Sequence, residues 1–134
     1  MYTKEVKNES ESEELLSREI ILAILANAAE KGKIEYDTIR LHKAFHKLKE
    51  NSQYKDLLKD LYFRFNPPFS KKLQKIIFIL ESSGKIEFIY PKYEEMIING
   101  EEDLNRIYEK LSPEEIEKIE KVAEELRILL LKGE

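Results

Sequence analysis

Two histidines stand four residues apart, at a spacing that can hold a metal ion. In a helix, His42 and His46 would share one face, and Glu50 would follow one turn later on that face. Two imidazoles and a carboxylate are ligands that zinc and related metals accept. No further strong ligand accompanies them, and Lys43 and Lys47 crowd the neighbourhood. We therefore expect no metal site and interpret both histidines as lying at the margin of an exposed helix face.

The sequence lacks the residue patterns of common enzymes. It has no glycine-rich phosphate loop, no nucleophile elbow and no paired acid–base signature. It contains no cysteine, which excludes a disulfide framework, a thiolate nucleophile and thiolate zinc sites. Its glutamates stand three or four residues from lysines, as Glu114 does from Lys118, which is the spacing of surface ion pairs. We predict a protein that is not an enzyme and has no cofactor.

Positive charge is concentrated in the middle of a chain whose net charge is −4. Residues 40–75 contain ten basic and three acidic side chains, whereas residues 1–39 and 76–134 are acidic overall. A basic segment between acidic ends can place a positive patch on one face of an acidic protein. The alternative is that these lysines only form the solvated faces of amphipathic helices.

Apolar periodicity and capping signals predict a mainly α-helical chain with a small β-hairpin. After a frayed segment 1–12, a first helix should run from the capping box at Ser10 to about Lys31. The segment 33–36 fits either a short strand or an extended linker, and alternating residues predict a hairpin over about 86–98. Further helices are predicted over about residues 38–50, 52–65, 71–83, 101–110 and 112–131.

The length of 134 residues without a linker predicts one domain, with residues 13–100 as its core and 101–132 as C-terminal helices. The longest apolar run near the N-terminus is too short to cross a bilayer, and no signal peptide is recognisable. We therefore predict a cytoplasmic protein without a membrane partner. Abundant Lys, Glu and Ile favour a thermophilic source, although an AT-rich genome would produce a similar bias.

The stretch PFSKKLQKIIFILESSGKIEFIYPKYEEMII, residues 68–98, resembles winged helix-turn-helix domains. In it a capped helix ends in LESSGKI and leads into a hairpin, where Gly84 can take the positive φ that reverses the chain. A narrower resemblance is to Panacea-type antitoxin domains. It rests on the proline-containing turn before this helix and on LSPEE, residues 111–115, which starts a closing helix.

The winged-helix resemblance implies a DNA-binding regulator whose helix over 71–83 approaches the major groove with its first turn. Lysines there would contact phosphates, Gln74 would pair with adenine, and lysines of the hairpin would touch the backbone. The basic face of the preceding helices would add phosphate contacts. The residues predicted to contact nucleic acid are Arg40, Lys43, Lys47, Lys71, Lys72, Gln74, Lys75, Lys85 and Lys92.

The last helix carries an apolar stripe that predicts a homodimer. The stripe has the alternating three- and four-residue spacing of a coiled-coil seam and comprises Ile116, Ile119, Ala123, Leu126 and Leu130. Packing of this stripe onto its own domain is the alternative that the sequence leaves open. The antitoxin resemblance also leaves open a second function, that of a protein-interaction module or antitoxin-like partner that does not bind DNA.

Overall fold

The computed structural model describes residues 17–65, 67–89 and 95–132 of the chain. They form a single, mainly helical domain with a small antiparallel sheet and a long C-terminal helix, as predicted. The predicted helix start at Ser10, the tip of the hairpin and Lys92 lie outside these residues. None of the helices described has the length and apolar character needed to cross a membrane.

In chain order the elements are α1 (Ser17–Ala28), β1 (Lys33–Glu35), α2 (Thr38–Glu50), α3 (Lys71–Ser82), β2 (Ile86–Phe88), β3 (Glu95–Ile98), α4 (Glu101–Glu109) and α5 (Pro113–Lys132).

The three strands form one antiparallel sheet in the order β1–β3–β2, so the last strand lies in the middle. Ile34 of β1 stands opposite Met96 of β3, and Ile86 of β2 stands opposite Ile98 of β3. The predicted hairpin is thus confirmed as β2 and β3, and the segment that fitted a strand or a linker is strand β1. All four of these side chains are buried, so one face of the sheet closes the core.

Gly84 ends α3 and turns the chain into β2. Its φ is 78°, in the region that glycine enters without the steric cost of a Cβ atom. The Lys85 N–H donates to the Leu80 carbonyl (2.8 Å), and the Gly84 N–H donates to the Glu81 carbonyl (3.1 Å). These bonds satisfy carbonyls at the end of the helix that would otherwise lack donors. The order helix, glycine, strand therefore follows the prediction.

Helix α5 packs back onto its own chain, mainly against α1 and also against α2. Ile119, Ala123 and Leu126 are at most 1% exposed, and Leu130 is 6% exposed. Ile116, at the start of the stripe, is half-buried. The prediction that this stripe forms a dimer seam is wrong, because side chains enclosed by their own domain cannot also face a second copy.

Polar contacts fix the end of α1 against the two C-terminal helices. The guanidinium of Arg127 in α5 donates to the Ala28 carbonyl through Nε (3.1 Å) and to the Asn27 carbonyl through Nη2 (3.0 Å). The side-chain amide of Asn27 donates to the Tyr108 hydroxyl of α4 (2.7 Å). A cation at a helix C-terminus is favourable, because the last carbonyls carry partial negative charge. These contacts set the position of α5 along α1.

Residues 51–60 form consecutive turns where a third helix was predicted. Tyr54, Leu58 and Leu61 are buried, as the apolar spacing indicated. The Tyr54 N–H donates to the Asn51 carbonyl (2.9 Å), the Leu58 N–H to the Tyr54 carbonyl (3.1 Å) and the Leu61 N–H to the Leu58 carbonyl (3.1 Å), so turns of different size follow one another. The helix over 52–65 is a wrong prediction. A run of turns also buries every third or fourth side chain, so the spacing of apolar residues could not distinguish consecutive turns from a helix.

Candidate nucleic-acid interface

Helix α3 presents a basic first turn to solvent. The Ser70 hydroxyl accepts a hydrogen bond from the Leu73 N–H (3.1 Å), which is the predicted N-cap. The side chains facing the core are Leu73, Ile76, Ile77 and Leu80, all of them buried. On the opposite side Lys71, Lys72 and Lys75 are exposed. The helix therefore has the two faces that its sequence predicted, with the three lysines available to a ligand.

His42 joins α2 to the start of α3 and is fully buried. The Ser70 N–H donates to its Nδ1 atom (3.0 Å), so the ring proton is on Nε2, which donates to the Gln74 side-chain oxygen (2.9 Å). The ring stacks on Phe69 with the centroids 4.2 Å apart and the planes 11° apart. Burial lowers the pKa of His42 from 6.5, although the Gln74 hydrogen bond opposes this in part. A neutral imidazole therefore holds the two helices together.

These contacts correct two expectations about α2 and α3. Gln74 was expected to face outward and pair with adenine, but it is half-buried and its oxygen is bound by His42. His42 was expected at the margin of an exposed face, but it lies in the core. His46 is half-buried, with its ring edge-on to Phe63 and Phe65 at 5.2 Å each. Within the described ranges, no group of three potential ligands could hold a metal ion.

The basic residues of α2 lie on its outward side. Lys43 and Lys47, one helical turn apart, are exposed, and Arg40 is half-buried. At about 100° per residue, Arg40 lies about 160° around the helix from His42, so it faces away from α3. By the same rotation Lys43 lies about 100° and Lys47 about 140° from His42, so Lys47 points within about 20° of Arg40. Arg40, Lys43 and Lys47 therefore share the side of α2 that faces away from the His42 contact with α3.

The exposed lysines of α2 and α3 have no acidic partner. No carboxylate of the described residues lies within 4.0 Å of the ammonium groups of Lys43, Lys47, Lys71, Lys72 or Lys75. Acidic residues are concentrated elsewhere, in the first turn of α4 (Glu101, Glu102 and Asp103) and of α5 (Glu114 and Glu115). Five ammonium groups that are not neutralised locally produce a positive potential able to attract an anionic ligand.

A turn rich in aromatic residues lies along α2 and leads into α3. Reciprocal backbone bonds between Arg64 and Phe69 (2.8 and 2.9 Å) close it ahead of the Ser70 cap. The Lys49 ammonium lies 4.8 Å from the centre of the Tyr62 ring and also donates to the Leu61 carbonyl. Tyr62 is 77% exposed and Phe65, on the same turn, is 67% exposed. We call residues 61–65 with 67–69 the aromatic turn.

The aromatic turn was not predicted, because Tyr62 and Phe65 fall within the helix predicted over 52–65, at helical spacing from Leu58 and Leu61. A signal was present in YFRFNPPF, residues 62–69, which combines four aromatic residues, an arginine and two prolines. Two adjacent prolines favour an extended turn, because proline cannot donate to a helical ladder and restricts the residue before it. Aromatic residues on such a turn cannot all reach the core.

Lys85 holds a buried carboxylate and is not free to contact nucleic acid. Its ammonium lies 2.9 Å from Asp103 Oδ2, and the Arg106 guanidinium lies 2.7 Å from Asp103 Oδ1. Burial alone would raise the pKa of Asp103, but hydrogen bonds and charge from Lys85 and Arg106 outweigh it and leave the pKa below its usual value. The expectation that Lys85 contacts the nucleic-acid backbone is corrected, since it fastens β2 to α4.

We expect Lys85→Ala to lower the free energy of unfolding by about 1–2 kcal/mol, because Asp103 would stay buried with one cation instead of two. Urea unfolding followed by circular dichroism measures this loss. The matched control is Lys110→Ala, which removes an ammonium 4.0 Å from Glu19 in a more exposed pair and should cost less than about 0.5 kcal/mol. Equal losses in the two variants would contradict the role given to Lys85.

Comparison of the chain with protein-family models, with curated proteins and with solved structures finds no match. The geometry and charge of the described residues therefore carry the functional argument.

Proposed function

We propose that this chain is a non-catalytic DNA-binding regulator that contacts phosphates with the outward faces of α2 and α3. The observation that carries the proposal is the set of five exposed lysines that have no acidic partner among the described residues. DNA phosphates are the natural partner of such a surface, because each ammonium that neutralises a phosphate releases condensed counterions. The acidic first turns of α4 and α5 would be repelled by DNA and so favour one orientation of the complex.

The arrangement of elements supports this use of α3. The order helix, strand, helix, helix, strand, strand, with β3 between β1 and β2, is the order expected of a winged helix. In such a domain the first turn of the third helix is the part that enters the major groove. Lys71, Lys72 and Lys75 occupy that turn, and the two hydrogen bonds of His42 hold it in a fixed position relative to α2.

The test is binding to duplex DNA over a range of salt concentrations. We expect Lys71→Glu combined with Lys75→Glu to weaken binding at least about tenfold and to reduce the salt slope by about 2, because two phosphate contacts are lost. The matched control is Lys118→Glu combined with Lys121→Glu on α5, which changes the net charge equally on a different helix. Fluorescence anisotropy of a labelled duplex gives both affinities.

Equal weakening by the two pairs of substitutions would indicate a net-charge effect and argue against this interface. Failure to bind duplex or single-stranded DNA at low salt would rule out the function altogether.

Phe78 favours a second candidate, a protein-interaction or antitoxin-like module. This side chain follows Lys75 on the outward stripe of α3 and is 65% exposed. Aromatic side chains are enriched in protein–protein interfaces, so this ring is the part of α3 that a protein partner would bury. If DNA does not bind, a second copy of the chain is one partner to examine. Light scattering of the intact chain and of Phe78→Glu would reveal a dimer through this stripe.

A further inference from the structure

The aromatic turn leaves two rings largely in solvent. Tyr62 and Phe65 are 77% and 67% exposed, so most of their apolar area remains in contact with water. Leaving that area in water forgoes the free energy that burial would supply. Scattered apolar side chains on a surface are ordinary, but two aromatic rings on one turn form a patch whose function needs an explanation.

The turn holds both rings in place before any ligand arrives. Lys49 lies over one face of the Tyr62 ring and binds the backbone of the turn at Leu61. Phe65 rests edge-on against His46, and the Arg64–Phe69 backbone bonds close the loop. Among the described residues, no second cation and no other aromatic ring packs against Tyr62, which is 77% exposed. A ligand would therefore meet rings that have already lost much of their freedom, which lowers the entropy cost of binding.

The charges around the rings favour an anionic ligand. Lys49 and Arg64 belong to the patch itself, and the turn continues directly into Lys71 and Lys72. Two carboxylates lie nearby and already have partners: Glu50 lies 3.9 Å from His46, and Asp60, just before the turn, accepts a hydrogen bond from the Ser17 hydroxyl. The occupant therefore has to combine negative charge with flat apolar faces. Nucleic acid has both, but in a duplex the base faces are stacked inside the helix and cannot reach a protein ring.

We propose that Tyr62 and Phe65 stack on unpaired bases, so that the ligand is single-stranded nucleic acid or a strand exposed beside a duplex. This inference rests on the proposed function, since the lysines of α2 and α3 would hold the phosphates of the same strand. Stacking explains why the rings are aromatic and exposed while phosphate contacts alone explain only the lysines. Base stacking tolerates any sequence, because every base has a π-face.

The experiment compares three probes by fluorescence anisotropy: an oligothymidylate, an abasic strand of the same length, and a duplex, each about 16 nucleotides long. The abasic strand keeps the phosphates and removes the bases. We expect the oligothymidylate to bind at least about tenfold more tightly than the abasic strand. Tyr62→Leu combined with Phe65→Leu should remove this advantage, since leucine keeps apolar area but has no π-face. Tyr62→Phe combined with Phe65→Tyr is the matched control and should keep it.

These measurements test base stacking separately from the proposed function. Equal binding of the abasic and base-bearing strands, or wild-type affinity in the leucine variant, overturns the stacking proposal. Displacement of the strand by polyglutamate at equal charge also overturns it, because an acidic peptide would then suffice. Duplex binding that still depends on Lys71 and Lys75 would leave the proposed function standing in all three cases. Because both rings are mostly exposed, circular dichroism should find the variants folded.

Discussion

Replacing Ile119 by lysine is expected to unfold the chain at room temperature. Ile119 is 0% exposed in the contact of α5 with the rest of the core. A lysine there would bury an ammonium without a partner and remove an apolar contact, at a cost of about 5 kcal/mol or more. Domains of this size are stable by only about 5–15 kcal/mol in total. Loss of helical circular dichroism and of a cooperative thermal transition measures the result.

The matched control for this substitution is Leu131→Lys on the same helix. Leu131 is 62% exposed, so its ammonium would remain hydrated and the change in stability should be within about 0.5 kcal/mol. A dimer seam on α5 would give the opposite outcome for Ile119→Lys, a folded monomer with half the mass in solution. Light scattering of the soluble variant therefore distinguishes enclosure in the core from association through the stripe.

Replacing His42 by alanine is expected to lower the free energy of unfolding by about 3 kcal/mol. The change removes a buried ring stacked on Phe69 and leaves the buried N–H of Ser70 without its acceptor. It also frees the Gln74 oxygen. Urea unfolding measures the loss, and His46→Ala is the control, because that half-buried ring makes edge contacts and one exposed, 3.9 Å contact with the Glu50 carboxylate. A smaller loss for His42→Ala than for His46→Ala would contradict the role given to His42.

The same histidine makes stability depend on pH in a defined direction. Burial lowers the pKa of folded His42 below the 6.5 of an unfolded chain. As the pH falls through 6.5, the unfolded state takes up the proton first, so the stability that His42 supplies decreases. The hydrogen-bond and stacking partners of the ring among the described residues, Phe69, Ser70 and Gln74, are neutral.

The His42→Asn variant isolates this effect, since its amide can accept from Ser70 but does not titrate. We expect its stability to fall less than that of the wild type between about pH 7 and pH 5. Urea midpoints at several pH values provide the comparison. If stability depends on pH in the same way in both proteins, His42 does not contribute to that dependence.

Much of the fold could be predicted because its signals are local. The Ser70 cap, the Gly84 turn and the alternation of the hairpin each depend on neighbours in the sequence. The exposure of Lys71, Lys72 and Lys75 follows from their place opposite an apolar stripe on one helix. The helix predicted over 52–65 is wrong because consecutive turns and a helix share the same apolar spacing.

The candidate site could be predicted only in part, because several of its side chains have partners far away in the sequence. His42 meets Ser70 and Gln74 at separations of 28 and 32 residues. Lys85 meets Asp103 in the first turn of α4. A local sequence pattern does not indicate which distant group will form a hydrogen bond or an ion pair with a side chain. Gln74 and Lys85 were therefore expected to be available to a ligand, whereas Gln74 binds His42 and Lys85 binds Asp103.

The sequence alone was enough to predict the Ser70 cap, the Gly84 stop, the apolar faces of most helices, and the concentration of positive charge between residues 40 and 75. The tertiary structure alone decided that the α5 stripe closes the core of one chain, and that His42 holds α3 against α2. It also decided that Tyr62 and Phe65 remain in water. The physical reason is that a local pattern sets the polarity of a face, whereas its partner is set by packing and by hydrogen bonds between distant residues.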